Sequence, residues 1–215
     1  VSFWDTIGPP WQAALEEAWT AYLHGSLPIG ACIARGDAVI ARGRNRIAET
    51  HQAIGTHSSG TQISHAELNA LLQLPADLET RDLVLYTTME PCPMCAGAIT
   101  MASFKTIHFA ARDPWAGCAR LFKDDSYVSS KRVVVHPPHS RLLEAINVTL
   151  LMHSDYEWRG EVDNAFTRQF RQTHPVVVEL ARGLWHAGTI RTWREQRVSA
   201  REVVNATARE LEVIA

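Results

Sequence analysis

Residues 65–111 alternate between two patterns, and the alternation leaves few folds open. The segment 65–74, "HAELNALLQL", reads as a helix stopped by Pro75, and 82–88, "DLVLYTT", as a buried strand. Residues 92–104, "CPMCAGAITMASF", read as a helix rich in small residues, and 105–111, "KTIHFAA", as another strand. Two short apolar runs come earlier, 28–34 and 38–43, joined at Gly36-Asp37 as a β-hairpin. Parallel strands need a crossover connection, usually helical, and that connection is right-handed. Strand, helix, strand, helix, strand in this order therefore implies a layered α/β domain.

The remainder is less constrained. Residues 9–24 read as an opening helix, with Pro9-Pro10 in its first turn and Gly25 at its end. Trp11, Leu15, Trp19 and Tyr22 form its core-packing stripe. Residues 44–63 are polar and read as a long loop, a length usually tied to function or mobility. His51 and His57 in that loop are either rim residues of a pocket or ordinary loop surface. Residues 112–130 read as irregular, and 131–137 and 146–152 as further strands. Beyond residue 154 strand signals fade, and 174–188 and 194–214 read as helices. The expected division is a domain at 1–154 and a helical C-terminal extension at 155–215. The extension packs on the main domain, mediates self-association or covers a site.

A net charge of −2 gives no global electrostatic case for nucleic acid, although a local basic patch would suffice. The four cysteines do not form the dense framework of a small secreted domain. No basic-then-apolar leader opens the sequence, and no apolar run approaches the ~18 residues that span a bilayer. The expected setting is cytoplasmic and reducing, with no membrane partner.

Chemistry concentrates in two short motifs. Cys92 and Cys95 stand three apart at a helix start, where neighbouring Cβ atoms lie ~5–6 Å apart and two thiolates can share one tetrahedral zinc. Alone, such a pair is also compatible with redox chemistry or a structural zinc site. His65 opens the preceding helix at the same end of the sheet and is the candidate third ligand. Glu67 has two readings. Ser64-x-x-Glu67 is a capping-box pattern, with Ser64 as the cap. His65-x-Glu67 followed by Pro91-Cys92-x-x-Cys95 is the signature of zinc deaminases, in which the metal acidifies a water and the glutamate moves its protons.

These residues, with "LPIGACIA", Asn45, "LYTTMEPCPMCAGAI" and "FAARDPWAG", make residues 25–120 resemble the cytidine-deaminase-like superfamily, nearest its tRNA adenosine deaminase and guanine deaminase branch. The resemblance implies a three-layer α/β/α fold with a mixed central sheet. It implies Zn2+ on His65, Cys92 and Cys95, and Glu67 as the catalytic proton shuttle. It also implies that Asn45 hydrogen-bonds the base, that the Ala66 backbone helps hold the substrate, and that the protein forms a homodimer. The sequence departs from the branch in its longer 45–65 segment, in the bulky residues after "DPWAG", and in the tail beyond 154.

The leading expectation is a hydrolytic deaminase of a small nucleobase, nucleoside or related aminated heterocycle. A tRNA-editing adenosine deaminase is the alternative, with Arg168, Arg171, Arg182, Arg191, Arg194, Arg197 and Arg201 as its basic surface. Interspersed acids favour reading that stretch as a solvated helical face. A third reading is a non-catalytic zinc module closed by Cys32 or Cys118. Trp115 either stacks on a base or anchors its loop.

Overall fold

The computed structural model describes residues 1–50, 52–54 and 57–214. In chain order its elements are α1 (Phe3–Thr6), α2 (Pro9–Leu23), β1 (Gly30–Arg35), β2 (Ala38–Arg44), β3 (Gln52–Ile54), β4 (His57–Ser59), α3 (Ala66–Leu71), β5 (Val84–Met89), α4 (Pro93–Met101), β6 (Thr106–Ala111), α5 (Leu121–Asp124), α6 (Ser126–Ser130), β7 (Val134–His136), α7 (Arg141–Arg159), α8 (Ala165–Thr173), α9 (Pro175–His186), α10 (Thr189–Glu195) and α11 (Ala200–Ile214).

The central sheet has the order β2-β1-β5-β6-β7 and is mixed, as expected. β1 runs antiparallel to both β2 and β5, while β5, β6 and β7 are mutually parallel. Four strands thus point one way, and their carboxyl ends share one edge. The chain enters α3 after β2 and α4 after β5, so both helix N-termini lie along that edge, where ligands of such sheets collect.

Side-chain alternation supplies both faces of the sheet. Ile33, Leu85 and Ile107 pack with Ala66 and Ala70 of α3 and Ala96 and Ile99 of α4. Tyr86 turns the other way, onto the core built by Trp11, Leu15 and Trp19 of α2 and Leu143, Ile146 and Leu150 of α7. This is the three-layer arrangement of the expected fold. Burial of these side chains is worth about 1.5–3 kcal/mol each and fixes both helices on the sheet.

Three expectations change. Residues 146–152 belong to α7 rather than to a strand. The run Ile146–Met152 is buried throughout, and a helix covered on all sides loses the polar face that would reveal its period. The irregular stretches hold short elements, β3 paired with β4 inside 44–63 and α5 and α6 inside 112–130. His51 and the side chain of His57 lie outside the described residues.

The division expected after residue 154 falls inside α7. Leu184, Ile190, Val203, Val204 and Leu211 from the later helices join the α2–α7 core. Trp19 Nε1 donates to the Val198 carbonyl at 2.7 Å. Among the described residues no helix is long and apolar enough to cross a membrane.

Candidate metal centre and its cavity

His65 is the N-cap of α3 and Cys92 the N-cap of α4, both with extended backbone. Extended backbone at His65 lets its ring and the Glu67 carboxylate converge, which two positions within one helical turn would not. His65 Nδ1 lies 3.6 Å from Cys92 Sγ and 3.6 Å from Cys95 Sγ. Bond lengths of ~2.3 Å to sulfur and ~2.0–2.1 Å to nitrogen, at a tetrahedral angle, place such donors about 3.6 Å apart. The spacing and the donor set therefore fit zinc with a fourth position open. Among the described residues this is the one group of three or more metal-ligating side chains gathered closely enough to hold an ion.

The three donors perturb one another's titration. Hydrogen bonding from Cys95 and His65 holds the Cys92 thiol down to about 4 against the cost of its burial. Its hydrogen bond to Cys92, together with burial and the Glu67 charge, pushes the Cys95 thiol up. His65 is raised, chiefly by its hydrogen bond to Cys92.

Glu67 does not complete a capping box. Its Oε1 accepts from Thr87 Oγ1 at 2.9 Å, and Cys95 Sγ approaches its Oε2 at 3.4 Å. Ser64 is not the cap either, since its hydroxyl bonds Thr61 Oγ1 and the cap position falls to His65. Burial drives the Glu67 carboxyl above its usual range, opposed by the His65 charge, its own amide and Thr87. A carboxylic acid raised in this way holds a proton readily and suits general acid/base work.

The cluster opens on a cavity of about 550 Å³. His65, Glu67 and Cys92 form part of its wall, together with Asn45 and Trp115. Asn45 is 1% exposed. Its Oδ1 accepts from the Ile47 amide at 3.2 Å, while its Nδ2 has no hydrogen-bond partner among the described residues. A buried donor left open on a cavity wall is a place for a ligand acceptor. Trp115 is 56% exposed on that wall. Ala66 is fully buried and is not part of the cavity wall.

The cysteines offered as a fourth ligand lie elsewhere. Cys32 is fully buried, donates to the Pro10 carbonyl at 3.1 Å, and has its thiol pushed up to about 12 by burial. Cys118 is also buried and is not part of the metal group.

Sequence reasoning missed the second wall. Leu151, Asp155, Trp158 and Arg159 of α7 and Phe166 of α8 face the cavity. Asp155 Oδ1 pairs with Arg159 Nε at 3.2 Å, and Asp155 Oδ2 is buried without a hydrogen-bond partner among the described residues. A carboxylate placed among apolar neighbours in "LLMHSDYEW" was the available signal, but a strand reading of 146–152 hid it.

Comparisons with known proteins follow the same lines. Residues 10–111 match the family described as the cytidine and deoxycytidylate deaminase zinc-binding region. The chain is 38% identical to the tRNA-specific adenosine deaminase of Bacillus subtilis over 50% of this chain and 63% of that protein, so it spans less than two thirds of that relative. It is 33% identical to the guanine deaminase of the same organism over 62% of this chain and 80% of that protein. Among solved structures it resembles the guanine deaminase from Nitrosomonas europaea, with a TM-score of 0.50, 21% identity, and coverage of 68% of this chain and 82% of that one. That last likeness concerns the fold alone.

Proposed function

The chain belongs to the zinc-binding cytidine and deoxycytidylate deaminase family, and on that premise we propose that it hydrolyses the exocyclic amine of a nucleobase, nucleoside or related aminated heterocycle. Water adds to the ring carbon, the C–N bond breaks, and a carbonyl and ammonia are formed. The observation that carries this reading is one cavity lined by two of the three clustered donors, His65 and Cys92, by a buried glutamate and by an unpartnered asparagine amide.

His65, Cys92 and Cys95 would hold the zinc, which when bound supplies an acidified water at its open position. Glu67 takes one proton from the attacking water and delivers it to the ring nitrogen, then takes the second from the hydroxyl now on the ring carbon and delivers it to the departing amine as the carbonyl forms. Thr87 fixes Oε1 for this task, and burial favours the protonated intermediate state of the carboxyl. Asn45 Nδ2 donates to a ring acceptor, and Trp115 offers a face for stacking. Ala66, fully buried and off the cavity wall, takes no direct part in this reading.

A small substrate is favoured over tRNA on two grounds. Glu67, Glu90, Asp113 and Asp155 line the cavity against the single guanidinium of Arg159, a poor setting for phosphate. Among the described residues, six of the seven tail arginines at 168–201, all but Arg197, are engaged with acids of their own surface: Arg168 and Arg171 with Asp163, Arg182 with Glu161 and Glu179, Arg191 and Arg194 with Glu157, and Arg201 with Asp5. Pairing of this kind weakens a phosphate-neutralising stripe. The tRNA reading keeps the support of the B. subtilis relative. An ammonia-release panel over guanine, adenine, cytosine, their nucleosides, pterins and triazines, run beside an inosine assay on tRNA, separates the two. Activity on tRNA alone would reverse the ranking, and activity on nothing would sink the proposal. The expected homodimer is checked by light scattering on the same preparation.

A further inference from the structure

The glutamate of "MEPCPMC" has no part in the chemistry above, although it directly precedes Pro91 and the ligand Cys92. Its surroundings give it one. Glu90 Oε1 accepts from the Ala119 amide at 2.9 Å, and Oε2 accepts from the Asp113 amide at 3.3 Å. Both oxygens of the carboxyl group act as acceptors here and match two backbone donors. The Glu90 amide bonds the Ala111 carbonyl at 2.8 Å, and the Cys118 amide bonds the Pro91 carbonyl at 2.9 Å. The stretch between these anchor points is a turn closed by Gly117 N to Asp113 O at 3.0 Å, with Asp113 Oδ1 accepting from the Trp115 and Ala116 amides.

Gly117 shows how closely the carboxylate is enclosed. A Cβ at that position would lie 2.6 Å from Glu90 Cδ, 2.7 Å from Oε2 and 2.4 Å from the Asp113 carbonyl. Two sequence motifs, "MEPCPMC" and "DPWAG", are thus the two halves of one lock. Glu90, Asp113, Trp115 and Ala116 all lie on the cavity wall.

We infer that Glu90 is a positioning residue: its carboxylate holds the 113–119 turn, and so places Trp115 on the cavity wall at a fixed offset from the segment that carries Cys92. The consequence for substrate rests on the deaminase reading; the lock itself does not. Glu90→Gln keeps the length of the side chain but has one acceptor where two are used, and it turns an amide donor toward a backbone N–H.

Hydrogen exchange on Glu90→Gln tests the lock without any substrate. A peptide spanning 112–120 should exchange about tenfold faster, while one spanning 93–101 stays within about twofold and zinc content is unchanged. Gly117→Ala, which crowds the same carboxylate, should loosen the same peptide and stands in if Glu90→Gln does not fold. On the best substrate of the panel, Glu90→Gln should raise KM about tenfold with kcat within about threefold, and should add nothing in a Trp115→Ala background. Unchanged exchange at 112–120 in both variants would overturn the inference. So would an equal KM penalty with and without Trp115. A protein inactive on every substrate would defeat the deaminase reading and leave exchange to decide this one.

Discussion

Gly43 is where α3 rests on the sheet, and adding one methyl group there should separate catalysis from stability. A Cβ at Gly43 would lie 2.2 Å from the Ala66 carbonyl oxygen and 2.3 Å from the Ala70 amide nitrogen, where ordinary contact begins at about 3.4 Å. The neighbours are backbone atoms, so no side chain can swing away, and α3 must lift by roughly 1 Å. The lift strains Asn69 Nδ2 on the Arg44 carbonyl, a 3.0 Å bond that ties the helix to β2. It also moves Ala66 and Glu67, and with them the His65 ring whose distances to both sulfurs are 3.6 Å. Overpacking of this kind costs about 1–3 kcal/mol. A misplacement of ~1 Å at a reacting group can cost ~100-fold in rate. Gly30→Ala is the matched control, because its Cβ would meet α2 at Ala14 O (2.1 Å) and Ala18 N (2.3 Å), and α2 carries none of the ligand residues. Urea unfolding should show comparable losses in the two variants. Zinc content and ammonia release should fall only in Gly43→Ala, with kcat/KM down by about 100-fold. If folded Gly43→Ala keeps zinc and stays within about threefold of Gly30→Ala, placement of the site by α3 packing is refuted.

Other outcomes follow from single contacts. Thr87→Val removes the hydroxyl on Glu67 Oε1 at nearly constant volume and should lower kcat about tenfold with zinc retained, read by steady-state kinetics. Trp115→Ala removes a stacking face and should raise KM about tenfold with little change in Tm. Cys95→Ser should leave the purified protein short of zinc by metal analysis, since the buried thiolate is replaced by a weak ligand. His153 is fully buried and bonded to Tyr22 at 3.0 Å, and burial lowers it from 6.5 to about 4. The unfolded chain then binds the proton first, so stability is lost as pH falls from about 6.5 toward 4. Between pH 7.5 and 4.5 the loss should be about 2–3 kcal/mol, and a His153→Gln variant should lack that component of the urea-derived profile.

The sheet and the metal cluster were legible because they depend on short-range patterns. A Pro-Cys-x-x-Cys at a helix start and a His-x-Glu at another carry their geometry within a few residues, and strand–helix alternation carries the topology. What escaped depends on tertiary burial. The apolar run at 146–152 has no polar face in sequence because α7 has none in space, and so it read as a strand. Once α7 was lost, so was the cavity wall of Asp155, Trp158 and Arg159. The capping role offered to Ser64 failed for a local reason, since an extended His65 takes the cap position and Ser64 turns to Thr61. The tail's place was equally hidden. Nothing in 155–215 announces that Val203, Val204 and Leu211 share a core with Trp11 and Trp19.

In the proposed mechanism Glu67 moves protons beside a zinc held by His65, Cys92 and Cys95. Zinc content and ammonia release measured together on Glu67→Gln test it most directly. The expected result is about one zinc per chain with kcat reduced by about 10²–10⁴-fold. Ammonia release at the wild-type rate from the zinc-loaded variant would contradict it.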